Sequence, residues 1–183
     1  MNRKHRIYFY FAILTLSLIW IYFSRLPKDS TTTPGNAAPH PGFFAPEISI
    51  LSLTGEEISL SDFRGHPVIL NFWTTWCPPC RAEMPAMQRA FLDYQETGTI
   101  ILAVNSTSQD SVAAVENFID QYGVSIPILL DREGDVASLY QITSLPTTYF
   151  IDKSGIIREV VIGGPMSEAL LRTRIEKLLK ESR

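Results

Sequence analysis

Residues 68–80 read Val-Ile-Leu-Asn-Phe-Trp-Thr-Thr-Trp-Cys-Pro-Pro-Cys, and no other stretch restricts the fold so tightly. Val68 to Trp73 is an apolar run bounded by Gly65-His66-Pro67, as expected of a strand covered on both faces. From Pro78 to about Tyr94 the spacing changes to helical, with Met84, Met87 and Phe91 as the core-filling stripe. A buried strand therefore runs directly into a helix, and two cysteines stand at the junction.

The remaining segments fit one α/β domain around that unit. Phe44 to Leu60 alternates apolar and polar residues about Thr54-Gly55, which predicts an N-terminal β-hairpin. Thr99 to Val104 and Ile126 to Leu130 are expected strands. Residues 110–122 predict a helix whose stripe is Val112, Val115, Phe118, Ile119 and Tyr122, stopped by Gly123. Val136 to Tyr140 predicts a short helix. Thr147–Ile151 and Ile156–Ile162 flank Asp152-Lys153-Ser154-Gly155, a hairpin pattern. Ser167 should cap a last helix with Leu170, Leu171, Ile175, Leu178 and Leu179 on its apolar face. Alternating strands and helices closed by a hairpin and a helix predict a mixed central sheet flanked by helices.

The chain has two cysteines, three residues apart. So short a loop removes little unfolded-state entropy, so stabilisation is not a sufficient reason for the pair. A cysteine at a helix N-cap faces unsatisfied amides and the positive end of the dipole, which favour thiolate and mark Cys77 as the nucleophile. Cys80, one turn further in, is the shielded resolving thiol, and the spacing keeps both sulfurs on one side. Pro78 and Pro79 remove two of the amides that would otherwise stabilise the Cys77 thiolate, leaving that of Cys80. This predicts a dithiol that behaves as a reductant. A zinc site would need further ligands, and His5, His40 and His66 are poorly placed to supply them. No metal or separate cofactor is expected beyond the redox-active disulfide Cys77–Cys80.

Residues 1–6 form a basic tail, and Ile7 to Phe23 carry no charge. A helix of that length would run roughly 25 Å, close to a hydrocarbon core when Arg6 and Arg25 snorkel and Tyr8, Tyr10, Trp20 and Tyr22 sit at the interfaces. The competing reading, a cleaved signal peptide, lacks a small-x-small site after the run. The expectation is a single-pass transmembrane signal anchor over 7–23, with the N-terminus in the cytoplasm and a flexible tether over 24–42. The folded domain, 43–183, then lies outside the cytoplasm. A net charge of −3 with interspersed signs, and no phosphate-binding glycine loop, argue against nucleic-acid or nucleotide binding.

From about Phe43 to Leu179 the sequence resembles the TlpA/ResA-like membrane-anchored members of the thioredoxin superfamily, most specifically over Asn71 to Pro85. Trp76 and Pro85 match the family's active-site Trp and helix-kinking Pro. Leu145-Pro146-Thr147-Thr148 is similar to its cis-proline loop, which implies substrate-binding roles for Trp76, Leu145, Pro146 and Thr147. Leu53 to Asn71 is similar to the opening shared with peroxiredoxin-like relatives of the AhpC/TSA type. Residues 105–140 would contain the group's extra strand–helix insert. Where thioredoxin has a buried Asp, this chain has Asn71. The resemblance instead implies that Glu83 assists proton transfer at Cys80, the alternative being a solvated first-turn Glu that complements the helix dipole.

The resemblance implies a monomeric thiol–disulfide oxidoreductase acting on protein disulfides, with apocytochrome c one substrate and a DsbD/CcdA-type membrane protein as electron donor. A peroxiredoxin-type peroxidase is the alternative, since Thr74 lies three residues before Cys77. The Cys-Pro-Pro-Cys pair and Trp76 fit dithiol exchange better. A Sco-type copper chaperone would need wider cysteine spacing and a late histidine, and no histidine follows His66.

Overall fold

The computed structural model describes residues 37–181. The basic tail, the anchor and most of the tether lie outside the described residues.

Two short strands, β1 (Ser49–Leu51) and β2 (Glu57–Ser59), pair antiparallel with Ile50 opposite Ile58. The main sheet contains β3 (Val68–Trp73), β4 (Ile100–Asn105), β5 (Ile128–Leu130), β6 (Thr147–Ile151) and β7 (Ile157–Ile162). Its order is β5-β4-β3-β6-β7, with β3, β4 and β5 parallel and β6 and β7 joined antiparallel. The helices are α1 (Pro78–Tyr94), α2 (Val112–Tyr122), α3 (Asp135–Leu139) and α4 (Glu168–Glu181).

β3 is central, and every one of its residues is buried. Because side chains alternate across a strand, Ile69 and Trp73 face one core layer while Val68, Leu70 and Phe72 face the other. The first layer also holds Met84 and Met87 of α1, Val115 and Phe118 of α2, and Leu171, Ile175 and Leu178 of α4. The second packs the N-terminal hairpin, Tyr140 and Tyr149. Buried hydroxyls need partners, and Tyr140 donates to the Pro46 carbonyl and Tyr149 to the Tyr140 carbonyl, each at 2.7 Å. Asn71 shares the Ile69–Trp73 face by alternation, which turns it towards α1.

The fold is the expected thioredoxin-like one, but several local expectations change. The hairpin strands are three residues each, because Phe44 and Ala45 leave that register. Phe44 bridges Ile156 and Ala37, and Ala45 donates to the Gly155 carbonyl. Pro46, with no amide hydrogen, cannot continue a ladder from them. The Gly42 amide donates to Ile157 and Ala38 to Phe44, so residues 37–42 are hydrogen-bonded onto the domain rather than free of it. α2 starts at Val112, capped by the Ser111 hydroxyl, because Asp110 is engaged elsewhere. In α4, Leu170 is 44% exposed and does not belong to the buried stripe. The first turn of that helix is instead held by Ser167, whose hydroxyl and carbonyl accept from Leu170 and Leu171.

Candidate active site

β3 ends at Trp73, and after three intervening residues Cys77 takes the N-cap of α1 with extended backbone angles, φ −80° and ψ 110°. Pro78 and Pro79 occupy the first two helical positions, so the first amide able to reach the cap is that of Cys80. It donates to Cys77 Sγ at 3.2 Å. The two sulfurs are bonded as a disulfide, with Cα atoms 5.3 Å apart. Cys80 is fully buried and Cys77 retains 3% exposure, less than expected for an open nucleophile. That residual surface opens onto a groove of about 330 Å³ walled by Trp76, Pro79, Gln109, Ile142, Ser144 and Leu145. The sulfur is therefore approached along one direction only. A larger apolar cavity of about 590 Å³, bordered by Leu53, Phe63, Phe91 and Ile119, includes neither cysteine.

Trp76 is 55% exposed at the groove rim, and its indole N–H donates to the Gln109 carbonyl at 2.8 Å. Leu145 also lines the groove. The Leu145–Pro146 peptide is cis, as the resemblance implied. Pro146 and Thr147 are buried behind the groove rather than lining it. The Thr147 hydroxyl donates to the Ser144 carbonyl at 2.8 Å, and the Gly163 amide donates to the Pro146 carbonyl at 2.7 Å.

Glu83 lies one turn beyond Cys80, on the same face of α1. It is 2% exposed, which rules out the solvated alternative. Its Oε1 accepts from Asn71 Nδ2 at 2.9 Å and its Oε2 from the Met166 amide at 3.0 Å. Burial pushes the Glu83 pKa up, and those two donors only partly oppose it. Asn71 Nδ2 also donates to the Thr148 hydroxyl, which ties β3, β6 and α1 together beneath the disulfide. Asn71 Oδ1, Trp73 Nε1 and Thr74 Oγ1 are buried without a hydrogen-bond partner, all in the run that leads to Cys77.

Several residues of the site carry no local signal in the sequence. Met166 reaches Glu83 through its backbone amide. Gly164 leaves room for two neighbours: a methyl there would fall 2.8 Å from Pro146 Cγ and 3.0 Å from Glu83 Oε2. Asp110 accepts from the Thr75 amide and hydroxyl, both at 2.7 Å. Only the burial that pairs these groups reveals them.

The arrangement is a disulfide-bonded cysteine pair at a helix start, a buried carboxyl behind it and a neutral groove in front. A family profile described as the AhpC/TSA family matches residues 41–160. The thiol-disulfide oxidoreductase ResA of Geobacillus kaustophilus is 36% identical over 172 residues, covering 94% of this chain and 96% of the relative. The thioredoxin-like protein YneN of Bacillus subtilis is 44% identical over 120 residues, or 65% and 69% of the two chains. Among solved structures, StoA from Bacillus subtilis superposes with a TM-score of 0.64 at 30% identity, covering 71% of this chain and 96% of that one. A DsbE-like thiol:disulfide interchange protein from Chlorobium tepidum gives 0.70 at 29% identity, covering 76% and 98%.

Proposed function

We propose a direction and a setting for the activity of a chain that belongs to the AhpC/TSA family and is a thioredoxin-like thiol–disulfide oxidoreductase: it reduces protein disulfides outside the cytoplasm. The observation that carries the direction is the cap of α1. One amide, that of Cys80, reaches the Cys77 sulfur, because the two positions between them are prolines. A weakly stabilised thiolate makes the dithiol readier to give up its electrons.

In the forward reaction the Cys77 thiolate attacks one sulfur of a substrate disulfide. A Cys77–substrate bond forms, and the other substrate sulfur leaves as a thiolate that takes up a proton. Cys80 then loses its proton to the Glu83 carboxylate and attacks Cys77 Sγ. The internal disulfide closes and the second substrate thiolate departs. The second thiolate takes up a proton as it leaves, and with the proton Cys77 gave up on ionising, two electrons and two protons pass overall from the dithiol to the substrate. The raised proton affinity of Glu83 brings it nearer to that of a thiol, which makes the carboxylate a better matched base. Burial of Cys80 restricts its attack to the partner sulfur.

The groove walls carry no charged side chain, which suits an uncharged peptide segment flanking the substrate disulfide. Apocytochrome c, whose haem-attachment cysteines are such a segment, is the proposed substrate, and a DsbD/CcdA-type membrane protein the proposed donor. A single membrane anchor over residues 7–23 would hold the monomeric domain beside both. The peroxidase alternative is not favoured, since the relatives are named for disulfide exchange.

Trapping tests the reading. Cys80→Ser should accumulate a mixed disulfide through Cys77 with disulfide-bonded insulin or an oxidised apocytochrome-type substrate, and Cys77→Ser should form none. Rapid turnover of hydrogen peroxide by the wild-type chain, with no insulin reduction, would overturn it.

A further inference from the structure

The Asp110 carboxylate gathers four donors from three separate stretches of chain. Its Oδ2 accepts from the Thr75 amide at 2.7 Å and from Asn105 Nδ2 at 3.0 Å. Its Oδ1 accepts from the Thr75 hydroxyl at 2.7 Å and from the Ser111 amide at 2.9 Å. Burial alone would raise the proton affinity of this carboxyl. The Thr75, Asn105 and Ser111 donors outweigh burial and hold its pKa below the usual carboxylate range. The group therefore stays ionised, and all four bonds stay charge-assisted.

What these bonds join is specific. Thr75 is two residues before Cys77 and one before Trp76. Asp110 follows Gln109, whose carbonyl takes the Trp76 indole N–H. Ser106, Gln109 and Trp76 all line the groove. The loop after β4 and the turn before Cys77 are thus locked to each other at two points, Asp110 to Thr75 and Gln109 to Trp76. Trp76, 55% exposed, would otherwise be a free rotor at the mouth of the site.

We infer that Asp110 is a positioning residue that locks Trp76 and the loop after β4 into one wall of the substrate groove. Its hydrogen bonds go to Thr75, Asn105 and Ser111 rather than to either sulfur, so it acts through Thr75 and Gln109. Its contribution is to binding: a wall fixed in advance does not have to be ordered when a peptide docks. Loss of the lock should therefore raise KM for a protein disulfide much more than it lowers kcat. This consequence rests on the protein-disulfide reading above, whereas the lock itself does not.

A graded set of substitutions tests it, because each weakens the lock to a different degree. Thr75→Val removes the hydroxyl bond alone. Asp110→Asn turns one oxygen into a donor, which forfeits the Ser111 amide bond and the charge that strengthens the other three, the Thr75 hydroxyl reversing to accept. Asp110→Ala forfeits all four. With the full chain in detergent, KM for insulin disulfides should rise by about threefold to fivefold in Thr75→Val and further in Asp110→Asn, with kcat within about twofold. Acrylamide quenching of Trp76, taken as the difference from the same chain carrying Trp76→Phe, should rise in the same order. Trp73 is fully buried and does not obscure that difference. Quenching unchanged in Asp110→Asn overturns the lock, as does a fall in kcat equal to the rise in KM. A chain that ignores insulin yet shows the graded quenching upholds the lock and counts against a general protein-disulfide reductase instead.

Discussion

Asn71 Nδ2 lies 2.9 Å from Glu83 Oε1, joining the central strand to the first helix directly beneath the disulfide. A neutral amide there lets one buried carboxyl titrate alone. An acid at position 71 would place two carboxyls in contact, and like charges so close cannot both ionise.

Glu83→Gln should slow resolution of the mixed disulfide by about 10²-fold, within the range for loss of a general base. Its rate should also lose the pH dependence that the wild-type chain shows above the ordinary carboxylate range. Rapid-mixing kinetics with the two chains across pH gives the comparison. Equal profiles would remove Glu83 from the proton relay.

The same carboxyl makes a stability prediction with a definite sign. Its pKa is higher folded than unfolded, chiefly through burial, so the folded state holds the proton when the unfolded state has released it. That contribution is complete below the unfolded carboxylate pKa and is lost as pH rises through the raised folded value. The urea midpoint of the oxidised wild-type chain should therefore fall with pH across that window relative to Glu83→Gln. A difference that grows in the opposite direction would contradict the burial effect.

Pro78→His or Pro79→His restores a helix-start amide and adds a cationic ring near Cys77. Both favour the thiolate, and so the reduced state. Each about 1.4 kcal/mol so gained moves a two-electron potential by about 30 mV towards the oxidising side. Equilibration against glutathione buffers measures it, and an unmoved potential would detach the prolines from the redox behaviour.

Gly164→Ala should destabilise the domain by about 1–3 kcal/mol, the usual cost of forcing a methyl into filled space. The methyl would press on both the Pro146 ring and the Glu83 carboxylate. Thermal melts should show the loss, and disulfide exchange should slow as well. Gly163→Ala is the informative comparison. Its added methyl meets no atom within 4 Å, and its cost should come from the positive φ of 81° alone.

Much of this protein was decided by local patterns. Val68 to Trp73 could only be a doubly covered strand. The two prolines could only begin a helix, and the cysteine spacing then placed both sulfurs at its start. These follow from periodicity and covalent geometry, which a segment carries by itself. Glu83 shows where that information stops. A glutamate in a first helical turn is compatible with solvent or with burial, and its burial depends on Met166, 83 residues away. Asp110 reads as a helix-start acid until β4 brings it against Thr75, 35 residues distant. Leu170 fits an apolar stripe but falls outside the face that α4 turns to the sheet. Dielectric environment and hydrogen-bond partners are properties of the space around a group, and only the packed chain creates that space.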